Sequence, residues 1–319
     1  MKGLPTTRIP YATHAWGIAT GCNERLPCAD RCWAKADAAR LANNPNEEIA
    51  RRYRGLVAPA GESSRRPYRR AEPEGRWIWT GHLKEFPEFL EAPGRLRDPA
   101  VIFVGTHTDL GLVSVDFKCR IWSVMEDCPR HEFLVVTKRW SCLSHTALRW
   151  DRREAWGALP NVTVCLSCST QKQFDAEMVW AGGDHIDAWR GRLAAFLEPQ
   201  LEPIDIRRWV RRLDWVVQGC ESLGPGTPGR PFEEAWARET RRVCQDTGMP
   251  YWLKQVPGWW CAKCRQWTLA PEGCPECSGR PVRRLIHAPR LDAYRGWQQA
   301  PARIANILDV RGKRLEGRP

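Results

Sequence analysis

Seven of the fourteen cysteines fall into two groups whose spacing could do chemistry. Cys261, Cys264, Cys274 and Cys277 read C-x2-C followed by C-x2-C. Each pair closes a tight knuckle, so four thiolates can converge tetrahedrally on one Zn²⁺. Gly273 and Pro275 suit such a turn. No coordination position is left open, so the expected role is structural, a small zinc ribbon. A four-cysteine iron site is the other centre this donor set accepts. A ribbon this short has almost no core, so the metal is expected to supply its folding free energy.

Cys22, Cys28 and Cys32 form the other group, C-x5-C-x3-C. Three thiolates leave a centre one ligand short. A [4Fe–4S] cluster held by three cysteines exposes one iron. S-adenosylmethionine (SAM) can occupy that iron through its amino and carboxylate groups, and one-electron cleavage of its sulfonium starts radical chemistry on carbon. Two other readings stay open. A three-cysteine zinc site could be completed by His14 or His107, or Cys28 and Cys32 could simply share one face of a helix.

The elements that must position these groups are partly legible. Short apolar runs at 15–20, 77–80, 101–105, 133–137, 162–167, 215–218 and 251–255 are expected strands. Stretches at 117–127, 187–197 and 232–247 have helical periodicity, the last stopping at Gly248-Met249-Pro250. Strands alternating with helices predict parallel β built from βαβ units. The expected fold is α/β, a partial or complete TIM-type β/α barrel of the radical-SAM kind over 1–258, with a doubly wound open sheet as its rival. A basic insertion at 43–76, read as a mobile loop or arm, interrupts it. The zinc ribbon at 259–284 and a basic tail at 285–319 follow.

Barrel chemistry sits at the carboxyl ends of strands. Polar residues expected there are Asp109, Lys138, Arg139, Glu198, Glu221, Lys254 and Gln255. Lys138 or Arg139 could bind a SAM carboxylate or a substrate phosphate. Glu198 or Glu221 could accept from the SAM ammonium or ribose hydroxyls. Glu221, Lys138 and Lys254 are the candidate catalytic residues, and Asp109, Lys138, Arg139, Glu198 and Gln255 the candidate cofactor ligands. For each, an ion pair at the rim is the competing role. Cys165 and Cys168 also spell C-x2-C, but alternation in a strand sends them to opposite faces, so core packing is expected. Cys119, Cys128, Cys142 and Cys244 lack partner spacing and are expected to be buried thiols.

Composition narrows the partners. Lys plus Arg number 49 and Asp plus Glu 37, a net charge of +12 that favours an anionic partner, nucleic acid first. Eighteen tryptophans suit stacking on flat rings. No apolar run reaches 18 residues, so no membrane span is expected, and the first residues contain no apolar signal core. A cytoplasmic location follows as an expectation. The P-loop, the G-x-S-x-G elbow and H-E-x-x-H are absent from the sequence.

Several longer stretches resemble the bacteriophage-associated radical-SAM-like proteins of unassigned function. H-A-W-G-I-A-T-G-C (14–22) resembles that family's entry to its cluster, and I-F-V-G-T-H-T-D-L (102–110) its strand ending in S-D-L. P-R-H-E-F-L-V-V-T-K-R (129–139) is similar to its P-x-H-x-F-x-x-L-T-K-R, the most specific stretch. P-N-V-T-V-C-L-S-C-S-T-Q (160–171), L-E-P-Q-L-E-P-I-D-I (197–206), D-W-V-V-Q-G-C-E-S (214–222) and W-L-K-Q (252–255) are similar to further family stretches. The resemblance implies a β/α barrel holding an iron–sulfur cluster and SAM. Reductive cleavage of SAM would call for a partner that donates electrons, of reductase or flavodoxin type. This chain departs from the family in spacing, which is usually C-x6-C-x2-C, and in carrying Ser169 for an acidic residue and Cys220 for a glycine. The expected activity is reductive SAM cleavage followed by radical chemistry, with a base of phage DNA as one substrate. A non-catalytic zinc-dependent DNA- or RNA-binding protein, and a radical SAM enzyme acting on a peptide or small molecule, are the alternatives.

Overall fold

The computed structural model describes residues 4–23, 32–59, 77–147, 159–183, 189, 191–221, 230–261, 263–264, 266–268, 277, 282–287 and 296–310. The chain divides into two compact units, Met1–Val164 with Asp184–Gly191, and Cys165–Gly183 with Arg192–Pro319.

In the first unit, β1 (His14–Trp16) and β2 (Ala19–Thr20) lead through the first cysteine group into α1 (Trp33–Ala42) and α2 (Glu47–Tyr53). β3 (Val57–Pro59), β4 (Trp77–Trp79) and β5 (Lys84–Glu85) follow, then β6 (Val101–Val104), α3 (Val115–Glu126), β7 (Glu132–Thr137), α4 (Trp140–Ala147) and β8 (Val162–Ser167), which the unit boundary crosses. β6 pairs in parallel with β1 on one side and β7 on the other. Every residue of β8, and all but one of β7, is buried. Strands covered on both faces read as continuous apolar runs, which is why these two were legible in sequence. Ser114 caps α3 by accepting from the Phe117 N–H, and Phe117, Ile121 and Met125 bury one stripe of that helix.

The second unit continues with α5 (Gln171–Gly182), β9 (Arg192–Leu197), β10 (Trp215–Gly219), α6 (Glu234–Asp246) and β11 (Tyr251–Cys261). β12 (Gln266–Thr268), β13 (Val282–His287) and α7 (Ala302–Val310) complete it. β10 pairs in parallel with β9 and β11, whereas β12 and β13 run antiparallel to β11. Gly248 takes φ +68° after α6 and releases the chain into β11.

The expected TIM-type barrel is not formed. The main sheet is open, seven parallel strands in the order β1-β6-β7-β8-β9-β10-β11, with β12 and β13 added antiparallel at the β11 end. Both outer edges are already occupied. Residues 5–7 cover β1 through the Thr6–His14 bridge and the bond from Ala15 N to Pro5 O. Residues 297–299 cover the start of β11, with Leu253 N donating to Trp297 O and Gln299 N to Tyr251 O, and β13 covers it from Gln255 onward. A strand whose N–H and C=O groups are paired has nothing left for a closing neighbour.

Other expectations change in detail. The run at 77–80 is β4, which among the described residues pairs with β3 in a separate two-stranded sheet. The stretch expected as a helix at 187–197 contains β9, five of whose six residues are buried. The insertion at 43–76 is not simply a mobile arm. Its first part forms α2 and β3, with Ala50, Tyr53 and Leu56 buried. The Arg52 guanidinium lies 4.5 Å from the Phe86 ring centroid and 4.8 Å from that of Phe89, and residues 60–76 fall outside the described chain. The tail at 285–319 contributes Trp297, Ile304 and Leu308 to the buried core. Of the isolated thiols, Cys128 and Cys244 are buried, Cys119 is half-buried and Cys142 is exposed. Cys165 and Cys168 are fully buried, as core residues should be.

Candidate functional site

Cys22 stands two residues beyond β2, and Cys32 is the N-cap residue of α1. Ten positions apart in sequence, both pack against one apolar cluster of Ala34, Ala38, Tyr53, Leu56 and Trp79. Cys28 lies outside the described residues. A thiolate at the start of α1 would meet the positive end of the helix dipole. Gly21 is obligatory at the entry. Its φ is +117°, and a Cβ there would fall 2.2 Å from the His82 carbonyl oxygen.

Two devices fix the ends of this cysteine loop. Arg139, just past β7, donates from Nη2 to Asn23 Oδ1 at 2.7 Å. Its Nη1 lies 3.7 Å from Asp109 Oδ2. Asp109 follows β6 and also accepts from the Gly111 N–H (2.9 Å), the Thr137 hydroxyl (2.7 Å) and the Lys138 N–H (2.7 Å). The second device is His107. Its carbonyl accepts from the Gly21 N–H at 3.0 Å. Its Nε2 lies 3.0 Å from Asp37 Oδ2 on α1 and its Nδ1 3.2 Å from the Tyr53 hydroxyl. The carboxylate assigns the proton to Nε2, so Nδ1 accepts from Tyr53. The Trp33 ring packs against the same imidazole at 5.4 Å. The His107 hydrogen bond, helped by Arg40, holds the Asp37 carboxyl at about 2, below its ordinary 3.8, against the opposing effect of burial. Burial pushes the Tyr53 hydroxyl up. Both His107 nitrogens are thus engaged, and the His14 Nδ1 contacts Thr13 Oγ1 at 2.9 Å. A zinc site completed by either histidine would have to break such a contact or use the other His14 nitrogen.

In the second unit, Glu198 follows β9, Glu221 follows β10, and Lys254 and Gln255 lie in β11 beside the end of β10. The β10–β11 register skips Lys254, since Gln218 faces Leu253 and Gly219 faces Gln255. Such a bulge re-aims the extra side chain. Lys254 Nζ is paired with Glu198 Oε1, which also accepts from Gln255 Nε2 at 3.2 Å. Gln255 Nε2 donates to the Cys220 carbonyl at 2.8 Å, and its own carbonyl accepts from the Cys220 N–H. Glu221 does not stand alone. Arg230 grips both its oxygens through Nε (3.1 and 3.2 Å) and its backbone N–H (3.1 Å), with Nη2 closing the fork. This bidentate pair fixes the orientation of the Glu221 carboxylate.

The second cysteine group converges. The Sγ atoms of Cys261, Cys264 and Cys277 lie within 4.8 Å of one another, close enough to share one metal ion. Cys261 and Cys277 sulfurs are 3.4 Å apart. The Cys264 N–H, with the Cys277 thiol and the Lys263 N–H, lowers the Cys261 thiol to about 6. Cys274 lies outside the described residues.

The sequence pointed to Asp109, Lys138, Arg139, Glu198, Glu221, Lys254 and Gln255, and each stands at or beside a strand's carboxyl end within its own unit. It missed Asn23, Asp37, Tyr53 and Arg230. His107-Thr-Asp109 directly after an apolar strand was the available signal for the first group. Nothing local marks Tyr53 or Arg230, whose partners lie 54 and 9 residues away.

A family model described as a protein of unknown function, DUF5131, matches residues 6–318. No curated protein and no solved structure matches the chain. The family match runs through both units, both cysteine groups and the 43–76 insertion. The chain belongs to DUF5131, a family of proteins of unknown function.

Proposed function

We propose that this chain is a radical SAM enzyme, with Cys22, Cys28 and Cys32 holding a [4Fe–4S] cluster. One observation carries the reading: Cys22 and Cys32, at opposite ends of the loop, pack on the same apolar cluster while Arg139–Asn23 and His107–Asp37 tie down the two ends. Thiolate donors, an adjoining helix N-terminus and a nearby apolar wall fit an anionic iron–sulfur group. When bound, such a group supplies the electron that splits the sulfonium of SAM into methionine and a 5′-deoxyadenosyl radical able to abstract hydrogen from carbon.

The protein's own groups have distinct tasks in this reading. Asp109 holds the β6 and β7 ends in register, so Arg139 keeps Asn23 in place. Lys138 is the basic side chain beside them for a carboxylate or phosphate. In the second unit, Lys254 and Glu198 form a pair able to hold substrate hydroxyl or amino groups, with Gln255 orienting Glu198. The metal of the second centre is zinc, held by Cys261, Cys264, Cys277 and Cys274 as a structural knot. The proposed partners are nucleic acid, DNA foremost, and a reductase or flavodoxin-type donor. Among the described residues, no helix is long and apolar enough to cross a membrane, and the proposed location is the cytoplasm.

Anaerobic reconstitution tests the reading. The chain should be brown, hold about four iron and four sulfide at the first centre, and form 5′-deoxyadenosine from SAM and dithionite. Cys22→Ala and Cys32→Ala should lose both. Two zinc ions, no iron and salt-dependent DNA or RNA binding would instead establish the non-catalytic zinc protein.

A further inference from the structure

The 3-10 helix Arg207–Arg212 of the second unit reads R-R-W-V-R-R. With three residues per turn, i and i+3 eclipse, so Arg208 and Arg211 share one face about 6 Å apart along the axis. Both are exposed. Their neighbours are engaged: Arg207 is paired with Asp205 at 2.5 Å, and Arg212 Nε donates to the Gly182 carbonyl at 3.1 Å. Among the described residues, neither Arg208 nor Arg211 has a carboxylate partner. Arg208 instead lies over Trp209, 4.8 Å from the ring centroid, and Trp209 is itself held by its Nε1–H to Asp175 at 3.3 Å.

α6 repeats the pattern. Arg238 is paired with Glu234, and Arg242 with both Glu239 and Asp246. Arg241 has no such partner among the described residues and lies 4.6 Å over the buried Trp297 ring. Glu239 and Arg242 of α6 lie within electrostatic range of Arg207 on the arginine turn. The acids of this surface pair Arg207, Arg238 and Arg242, and Arg212 is held by a carbonyl. Among the described residues Arg208, Arg211 and Arg241 have no carboxylate partner, and two of these three lie over tryptophan rings. A guanidinium held face-on to an aromatic ring keeps its N–H edge free for a bidentate oxyanion.

We infer that this face of the second unit binds the phosphodiester backbone of a nucleic acid, with Arg208, Arg211 and Arg241 on phosphates. Guanidinium groups spread over two helices suit a repeating polyanion, whereas a small anion needs donors that converge. The two rings beneath these guanidinium groups are not free to insert into a lipid surface: Trp209 is half-buried and Trp297 buried. The inference rests on the nucleic-acid part of the proposed function and is independent of the cluster chemistry.

The test uses the full chain and labelled duplex DNA, single-stranded DNA and single-stranded RNA, titrated by fluorescence anisotropy over a salt series. The triple variant Arg208→Glu, Arg211→Glu, Arg241→Glu should weaken binding at least about tenfold and flatten the log K against log salt slope by about 2 to 3. Arg208→Lys, Arg211→Lys, Arg241→Lys should keep most of that slope. Arg95→Glu, Arg97→Glu, Arg120→Glu, with the same change in net charge, should bind nearly as the parent does. Thermal unfolding checks that each variant folds. The preferred nucleic acid identifies which polymer supplies the phosphates. If the first triple variant binds like the parent, this surface is wrong while the nucleic-acid reading stands. Equal loss in both reversal variants would reduce the effect to net charge and overturn the assignment. A parent that binds none of the three, or only anionic vesicles, would overturn the surface and the nucleic-acid reading together.

Discussion

Arg139 and Asn23 lie 116 residues apart in sequence, and the Arg139 guanidinium donates to the Asn23 amide oxygen at 2.7 Å. This bond ties the end of β7 to the residue after Cys22. Arg139 also faces Asp109, with both side chains about one-tenth exposed. Arg139→Ala should therefore lower stability by about 2–3 kcal/mol, because a largely buried carboxylate loses its cation. Asn23→Ala removes a single bond and should lower it by about 1 kcal/mol. Urea unfolding measures both. Iron retained after reconstitution should fall in both variants, and undiminished iron in Arg139→Ala would show that the bond does not anchor the loop.

Gly21 and Gly55 separate two effects of a positive φ. At Gly55, φ is +76° and nothing lies within 4 Å of an added Cβ. Gly55→Ala should show only the left-handed strain, about 1 kcal/mol. At Gly21 the added carbon meets the His82 carbonyl at 2.2 Å and the Leu83 Cα at 3.1 Å. Gly21→Ala should lower stability by about 3 kcal/mol or more. Similar thermal midpoints for the two variants would contradict this geometry.

Asp37 predicts an acid limb. Its carboxyl titrates at about 2 in the folded chain against 3.8 ordinarily, chiefly through the His107 hydrogen bond. A carboxylate with a depressed folded value contributes stability above pH 4 and loses it as pH falls toward 2. Allowing for solvent screening of a partly exposed group, the contribution is about 1 kcal/mol. Asp37→Asn should be less stable than the parent near neutrality, and the gap should close between pH 4 and pH 2. A gap constant across that range in denaturant titrations would exclude the linkage.

The cysteines outside the two spaced groups should differ sharply in reactivity. Burial pushes the Cys244 thiol up to about 12 and the Cys165 thiol well above its usual value. Thiolate is the reactive form, so neither should be alkylated in the native chain at mildly alkaline pH. Cys142 is exposed and should be modified first. Peptide mass mapping after brief iodoacetamide treatment reads the order.

The sequence by itself determined what depends on neighbouring residues. Buried strands such as β7, β8 and β10 showed as apolar runs because both faces are covered, and α3 and α6 showed as periodic stripes. The C-x2-C spacing marked the second cysteine group, whose sulfurs converge closely enough to hold a metal ion, because each knuckle closes within a few residues. Lys138, Arg139, Glu198 and Glu221 were legible for the same reason, since each follows its strand within two residues, whereas Lys254 and Gln255 lie within β11.

Tertiary structure decided everything set by distant pairing. An apolar stretch such as Arg192–Leu197 satisfies helix and strand patterns alike, and its parallel pairing with β10 makes it β9. β4 has a strand's composition, yet its hydrogen bonds go to β3 rather than the main sheet. Barrel closure failed because residues 5–7 and 297–299 take the edge hydrogen bonds of β1 and β11, and no local pattern encodes which segment reaches an edge first. The partners of Cys22 and Cys32 were hidden likewise. Asn23–Arg139 and Tyr53–His107 are contacts across loops, specified by the folded backbone and not by spacing along it.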